Sequence, residues 1–153
     1  MQISLQATTT LTEWSDRTIR RRIADGSLKS EVNNKDYYKT MICFDSVKPH
    51  ICIPLDSDDI ELIKSADAGD ASAQNDLAIL FLDHNKTQSA IYWLELAIKQ
   101  NFTDAMHVLG CCYLKGNGLA KDANLAMMWL AKAASLGHPI AVSQMQSIVS
   151  PPK

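Results

Sequence analysis

Residues 105–137 read AMHVLGCCYLKGNGLAKDANLAMMWLAKAASLG, and this stretch decides the fold of most of the chain. Its second half repeats an earlier segment, because Trp129 and Leu130 follow Trp93 and Leu94 at a spacing of 36 residues. Two alanines flank each of these pairs at the same positions in both copies. An internal period of this length is typical of stacked helix pairs. We therefore expect the C-terminal two thirds of the chain to form such a stack.

A second match extends the repeat upstream. Ala73 and Leu77 stand 32 residues before Ala105 and Leu109, since residues 116–119 have no counterpart in the first copy. Small residues at these positions let helices approach closely, and aromatic side chains are expected to fill the gaps between neighbours. The aromatic side chains at repeat positions are Phe81, Trp93, Tyr113 and Trp129.

Helix ends can also be read from the repeats. Asp70 and Asp104 precede alanine-containing runs, where N-caps belong. Gly69 and Gly137 follow such runs as C-terminal stops, and Pro139 fits the first turn of a further helix. Each copy is therefore interpreted as two helices.

The residues at 105–138 resemble a Sel-one-like repeat, a member of the tetratricopeptide-like helical repeats. Residues 70–104 resemble a degenerate copy in which Ala78 replaces the first glycine, and the resemblance extends over about residues 57–148. It implies an α/α solenoid that helps to assemble protein complexes and has no catalytic activity. We place this solenoid at residues 56–150.

A protein-binding groove is expected along the first helix of each pair, because solenoids bind partners on such surfaces. The side chains predicted to line it point away from the stripe of small residues. They are Gln74, Asn75, Met106 and His107.

The charge distribution separates the N-terminal third from the rest. Residues 1–55 hold eight basic and six acidic side chains, a net charge of +2, and the remainder holds seven and eleven, a net charge of −4. All four arginines lie between Arg17 and Arg22. This asymmetry indicates separate tasks for the two parts.

Residues 15–28 predict a short amphipathic helix that begins at an N-cap, Ser15, and stops at Gly26. Ile19 and Ile23 share one face of it, and most of the arginines share the other. The threonine-rich stretch before it, at residues 8–13, is a poor helix former.

The order of helix, turn and β-rich segment over about residues 4–51 resembles an excisionase-type or mercury-regulator-type winged helix-turn-helix. That resemblance implies a recognition helix and a wing that contact DNA. The candidate DNA-binding residues are Arg17, Thr18, Arg20, Arg21, Lys29, Asn33, Asn34 and Lys35. The alternative is an ordinary solvated face, since Asp16–Arg20 and Arg21–Asp25 are spaced as i, i+4 ion pairs.

Several function classes lack support in the sequence. No spacing links a nucleophile to a base, no phosphate-binding glycine loop is present, and the four cysteines and four histidines form no paired metal-ligand motif. We therefore expect no enzyme activity, no cofactor and no metal. No apolar run is long enough to span a membrane, and the N-terminus lacks the pattern of a secretory signal.

The predicted fold is mainly α, with a winged-helix-like α+β module at residues 1–55, the repeat solenoid at residues 56–150 and a tail at residues 151–153. The leading hypothesis is a cytoplasmic bacterial regulator that couples a DNA-binding module to a protein-docking solenoid. The alternative is a pure protein–protein adaptor that binds no nucleic acid. The sequence leaves open whether the chain forms a homodimer.

Overall fold

The computed structural model of the protein describes residues 1–32 and 39–150. The chain divides into two compact units, Met1–Gly69 and Asp70–Lys153.

The first unit combines a small sheet with short helices. Strands β1 (Gln2–Ser4), β2 (Ser30–Val32) and β3 (Thr40–Cys43) pair antiparallel in the order β1-β3-β2. Helices α1 (Leu5–Thr12) and α2 (Asp16–Ala24) lie between β1 and β2 in the chain, α3 (Phe44–Val47) follows β3, and α4 (Ser57–Asp67) ends the unit. Their apolar side chains form one core, which includes Ile3, Ala7, Leu11, Ile19, Ile42, Phe44 and Val47.

The α1–α2 corner explains how this part of the chain folds locally. Threonine hydroxyls of α1 donate to backbone carbonyls within the helix, as Thr8 does to Ser4 at 3.0 Å and Thr12 to Thr8 at 2.8 Å. These bonds satisfy the buried hydroxyl groups, so the threonine-rich stretch forms a helix despite its low propensity. Glu13 then adopts a left-handed conformation and turns the chain into α2. The predicted cap is confirmed, because the Ser15 hydroxyl accepts from the backbone N–H of Thr18.

Helix α4 belongs to the first unit rather than to the repeats. The Asp67 carboxylate accepts hydrogen bonds from the backbone N–H of Ser4, at 2.7 Å, and from its hydroxyl. Ser4 also caps α1, so these bonds join the start of the unit to its last helix. The observed division at residues 69 and 70 therefore lies beyond the boundary expected at residues 55 and 56.

The second unit consists of helices that pack in consecutive pairs. Its helices are α5 (Ala71–Asp83), α6 (Thr87–Lys99), α7 (Thr103–Lys115), α8 (Ala123–Ser135) and α9 (Pro139–Val149). α5 packs on α6, α7 packs on α8, and α9 packs on α8. The expected repeat of helix pairs is confirmed. Gly110 permits the close packing of α7 on α8, since a Cβ atom there would lie 2.9 Å from Leu130 Cγ.

The repeat aromatics differ in burial. Phe81 and Trp93 are buried, as expected, whereas Tyr113 and Trp129 are only half-buried. Trp93 is followed in the chain by the complete pair α7 and α8, while Trp129 is followed within the described residues by α9 alone. Trp129 packs on its buried side against Met106, Ala133 and Ala141.

Most of the predicted helix ends are confirmed. The Asp70 carboxylate accepts from the backbone N–H of Ala73 at 2.7 Å, and Pro139 is the first residue of α9. Gly69 and Gly137 both follow helices in left-handed conformations. The cap predicted at Asp104 is wrong, because α7 begins at Thr103 and Asp104 lies in its first turn.

No single helix of the described residues has the length and apolar composition needed to cross a membrane. Among those residues, α8 and α9 together meet these criteria as one pair that is bent by 119°.

Candidate functional sites

Three arginines of α2, Arg17, Arg20 and Arg21, form an exposed basic surface. Arg17 and Arg21 line an open hollow of about 480 Å³ together with Thr18. Arg20 is also exposed, and its Nε lies 2.9 Å from Asp16 Oδ1, which confirms one of the expected i, i+4 pairs. Asp25 is engaged elsewhere, since it accepts hydrogen bonds from the backbone N–H and the hydroxyl of Ser27. These bonds, reinforced by the charges of nearby arginines, lower the pKa of Asp25.

Two parts of the predicted DNA surface lie outside α2 in the sequence. Lys29 is exposed just before β2. Asn33, Asn34 and Lys35, the expected wing, lie outside the described residues. The arginine hollow is therefore the part of this predicted surface whose geometry is defined.

Arg22 has a different position from the other three arginines. Its guanidinium carbon lies 4.0 Å from the centre of the Trp14 ring, and the same indole contacts His50 with ring centres 4.8 Å apart. The side chain is half-buried, so its stem and charge pack against the aromatic surface. Arg22 thus stabilises the turn between α1 and α2 rather than presenting a charge to a ligand.

We expect Arg22→Ala to lower the free energy of unfolding of the first unit by about 1 kcal/mol, because a cation–π contact at a half-buried site is lost. Arg21→Ala, which removes an exposed arginine from the same helix, should change stability by less than about 0.5 kcal/mol. Urea unfolding followed by circular dichroism measures both. Equal stabilities of the two variants would contradict a structural role for the Arg22–Trp14 contact.

The predicted protein-binding groove is largely absent at its expected position. Gln74, Asn75 and Met106 are buried, with 3%, 5% and 0% of their surfaces exposed, so these three side chains do not line an open surface. The Gln74 Oε1 accepts a hydrogen bond from Gln100 Nε2 at 3.0 Å, which makes its burial favourable. Met106 packs with Ala133 and Ala141 in the core of the unit. His107, the fourth residue, lines a cleft.

That cleft, of about 260 Å³, lies between α5 and α7 and will be called the α5/α7 cleft. Apolar groups form much of its wall, and a carboxylate, an ammonium group and an imidazole add polar atoms. Its lining includes Ile79, Leu82 and Asp83 from α5 and His107, Val108, Cys111, Cys112 and Lys115 from α7.

The cleft residues could have been found from the repeat spacing. Ile79 and Cys111 are 32 residues apart, as are Asp83 and Lys115, so each pair occupies one repeat position on successive first helices. Equivalent positions of stacked repeats face the same side of an array. The sequence prediction chose one lining residue, His107, and three residues that are buried, Gln74, Asn75 and Met106.

The thiols of the cleft are poorly suited to nucleophilic chemistry. Burial raises the pKa of both thiols, Cys111, which is half-buried, and Cys112, which is buried. The Lys115 ammonium opposes both shifts. A thiol held protonated is a weak nucleophile and a weak metal ligand. Within the described part of the chain, no group of three or more histidine, cysteine, aspartate or glutamate residues is arranged to hold a metal ion.

Comparison with known proteins identifies the helical pairs. Residues 71–102 and 103–138 match the family model described as Sel1 repeat. The chain is similar to the Sel1 repeat protein from Oxalobacter formigenes, with 35% identity and a TM-score of 0.49 over 55% of this chain and 66% of that one. It is equally similar, at 35% identity and a TM-score of 0.49, to c5321, a protective antigen present in uropathogenic Escherichia coli strains that displays an SLR fold.

The second comparison covers 53% of this chain and only 18% of the antigen, so the chain spans a small part of that protein. No curated protein matches the chain. The two matched segments begin at the first residues of α5 and α7, and each contains one helix pair. Residues 71–138 therefore match two consecutive copies of the Sel1 repeat model, one for each helix pair.

Proposed function

We propose that the chain is a protein-interaction adaptor whose Sel1 repeats bind a segment of a partner protein in the α5/α7 cleft. The observation that carries the proposal is the cleft itself, an open recess between the first helices of two successive repeats. Residues that would be engaged by a partner are exposed in it, since Ile79 is 38% exposed on an otherwise well-packed helix. Exposed apolar groups with polar neighbours are characteristic of docking surfaces.

The chemistry of the lining favours a peptide segment with mixed character. Ile79, Leu82 and Val108 offer apolar contact, which provides the driving force for association. Asp83 and Lys115 place opposite charges at equivalent positions of the two repeats, so they would fix the orientation of a segment that carries both signs of charge. We infer that the apolar wall supplies affinity and the two charges supply specificity.

Charge substitutions test this proposal. We expect Ile79→Glu and Lys115→Glu each to reduce capture of a protein partner at least tenfold, because the first places a charge in the apolar wall and the second reverses a specificity charge. Both residues are exposed, so the melting temperature should hardly change. The partner is captured from cells that produce the protein and is then purified. Affinity measurements with it give the ratio of wild-type to variant binding.

Met128→Glu is the matched control. Met128 is 49% exposed on α8 and is not part of the lining of the α5/α7 cleft. The Met128→Glu variant should therefore bind the partner as the wild type does, although it carries the same new charge as Ile79→Glu. Equal binding by wild type, Ile79→Glu and Met128→Glu would contradict the proposal.

A second candidate function is nucleic-acid binding by α2, which the hollow lined by Arg17, Thr18 and Arg21 favours. Neither arginine forms a salt bridge with the residues that the structure describes, so both guanidinium groups remain available to phosphates. The strand order β1-β3-β2 and the short α1–α2 turn are also compatible with a winged helix-turn-helix. With this activity the chain would couple DNA to a protein partner as a regulator.

The nucleic-acid hypothesis predicts a salt-dependent affinity. The double variant Arg17→Ala/Arg21→Ala should reduce the slope of log K against log salt by up to about 1.8, because each lost phosphate contact contributes about 0.9. Lys48→Ala/Lys64→Ala removes the same charge elsewhere in the first unit and serves as the control. If the wild-type protein selects no DNA fragment at low salt, the nucleic-acid hypothesis is wrong and the adaptor proposal remains.

A further inference from the structure

Two histidines stack where α7 meets the start of α9. The rings of His107 and His138 are nearly parallel, at 15°, with their centres 4.5 Å apart. His107 lies on α7, and His138 is the N-cap of α9. The histidine pair therefore joins the last described helix to the preceding repeat.

Both nitrogens of His138 are engaged, and the geometry defines the protonation state that they require. Nδ1 accepts the backbone N–H of Ala141 at 3.1 Å, which caps α9. Because Nδ1 must provide a lone pair for this bond, the ring proton resides on Nε2, which lies 3.2 Å from Asp104 Oδ1. The ring is only 7% exposed, so water cannot readily replace either partner. A proton added to Nδ1 would abolish the cap.

His107 is surrounded by groups from both helices. Its Nε2 lies 3.1 Å from Gln144 Oε1 of α9 and 3.7 Å from Cys111 Sγ of α7. Burial and, after it, the adjacent His138 ring lower the pKa of His107, while the bond to Gln144 and the Asp104 charge oppose that shift. α8 meets the pair with a neutral group, the carbonyl of Ala133, which accepts the His138 backbone N–H at 3.0 Å. Asp104 is therefore the one anion that the described contacts place at the pair.

Helix α9 covers an apolar surface. Ala141, on the first turn of α9, is fully buried with Met106 and Ala133, and Trp129 and Ile98 pack around them. Release of α9 would uncover these side chains of α6, α7 and α8. α9 itself has no charged side chain, so its attachment depends on this apolar contact and on the histidine pair.

We propose that the His107–His138 pair is an acid-sensitive latch, which holds α9 on the repeats when both rings are neutral and releases it when they are protonated. The latch rests on the hydrogen bonds and the stacking above, and its argument does not use the proposed protein or DNA binding, although His107 also lines the α5/α7 cleft. Its effect is to uncover the apolar surface formed by Met106, Ala133 and Trp129 as the pH falls.

The direction of the pH dependence follows from proton linkage. A solvated histidine in released α9 titrates near pH 6.5. In the latched state the cap uses the lone pair of His138 Nδ1, and the pKa of His107 is lowered by burial and the adjacent ring. The released state therefore binds more protons, so the latch is fully stable above about pH 6.5 and weakens as the pH falls below that value. Asp104 Oδ1 lies 3.2 Å from His138 Nε2 in the latched state and accepts its N–H.

Hydrogen exchange of the full chain measures the latch directly. After correction for intrinsic exchange, opening of residues 139–149 should increase up to about tenfold between pH 7.5 and pH 5.5, the change expected when one group of pKa near 6.5 must be neutral to close. Residues 71–83, in α5, provide the internal reference and should show no such increase. Nitrogen NMR of His138 should show the Nε2–H tautomer at pH 7.5.

His138→Asn is the decisive variant, because an asparagine side chain caps a helix and does not titrate. Its opening of residues 139–149 should change with pH clearly less than that of the wild type, because only His107 of the pair is left to titrate. An unchanged opening of the wild type, a pH response in His138→Asn equal to that of the wild type, or an imidazolium at His138 with α9 still protected would each overturn the proposal.

Discussion

Trp93→Ala should lower the free energy of unfolding of the second unit by about 3–5 kcal/mol, the usual cost of deleting a fully buried large side chain. Trp93 is 1% exposed and is among the largest completely buried side chains of the described chain. Its ring also packs edge-on against Tyr92, with centres 5.1 Å apart. Because a short array gains its stability from contacts between neighbouring pairs, we expect cooperative loss of helix from α5 to α9. Chemical denaturation followed by circular dichroism measures the change.

Trp129→Ala is the matched comparison, since Trp129 occupies the same repeat position 36 residues later. It is half-buried, and the Lys132 ammonium lies 5.5 Å from its ring. A smaller cavity is left when a partly solvated ring is removed, so the loss of stability should be clearly smaller than for Trp93→Ala. If both variants lost the same free energy of unfolding, the difference in burial between Trp93 and Trp129 would not determine how much each side chain stabilises the unit.

Gly118→Ala should destabilise the same unit by about 2–4 kcal/mol, through overpacking and backbone strain together. Gly118 has a φ of +70°, and a Cβ atom there would overlap the Thr87 side chain at Oγ1 and Cβ. Thr87 is itself buried at the first turn of α6, so it has little room to move. The loop between α7 and α8 therefore needs glycine both for its conformation and for its contact with the preceding repeat. A thermal unfolding scan detects the loss.

Gly137→Ala separates the two causes. Gly137 also has a positive φ, +90°, but a Cβ atom there would meet nothing within 4 Å. This variant should lose only the strain component, about 1 kcal/mol. If Gly118→Ala and Gly137→Ala were equally destabilised, the contact between Gly118 and Thr87 would have no energetic weight.

The repeat architecture could be predicted because its causes are local and periodic. Close approach of two helices requires a small residue, as at Gly110 against Leu130, and such positions recur at a fixed spacing. The caps at Ser15 and Asp70 were predictable for a similar reason, since a side-chain acceptor three residues before a free N–H is visible in the sequence.

The lining of the candidate site could not be predicted by polarity alone. Gln74 is polar yet buried, because Gln100, 26 residues away, supplies its hydrogen bond. The attachment of α4 to the first unit depends likewise on Asp67 and Ser4, which are 63 residues apart. Such partners meet only after folding, so neither the burial of Gln74 nor the division after Gly69 follows from local pattern.

The most direct test of the adaptor proposal is site-specific photo-crosslinking in cells that produce the protein. A benzoylphenylalanine placed at position 79 lies in the α5/α7 cleft, and one placed at position 128 lies on α8 outside it. We predict a protein adduct from the chain substituted at Ile79 that is lost with Lys115→Glu, and none above background from the chain substituted at Met128. An adduct at Met128 together with none at Ile79, or an Ile79 adduct insensitive to Lys115→Glu, would contradict binding in the cleft.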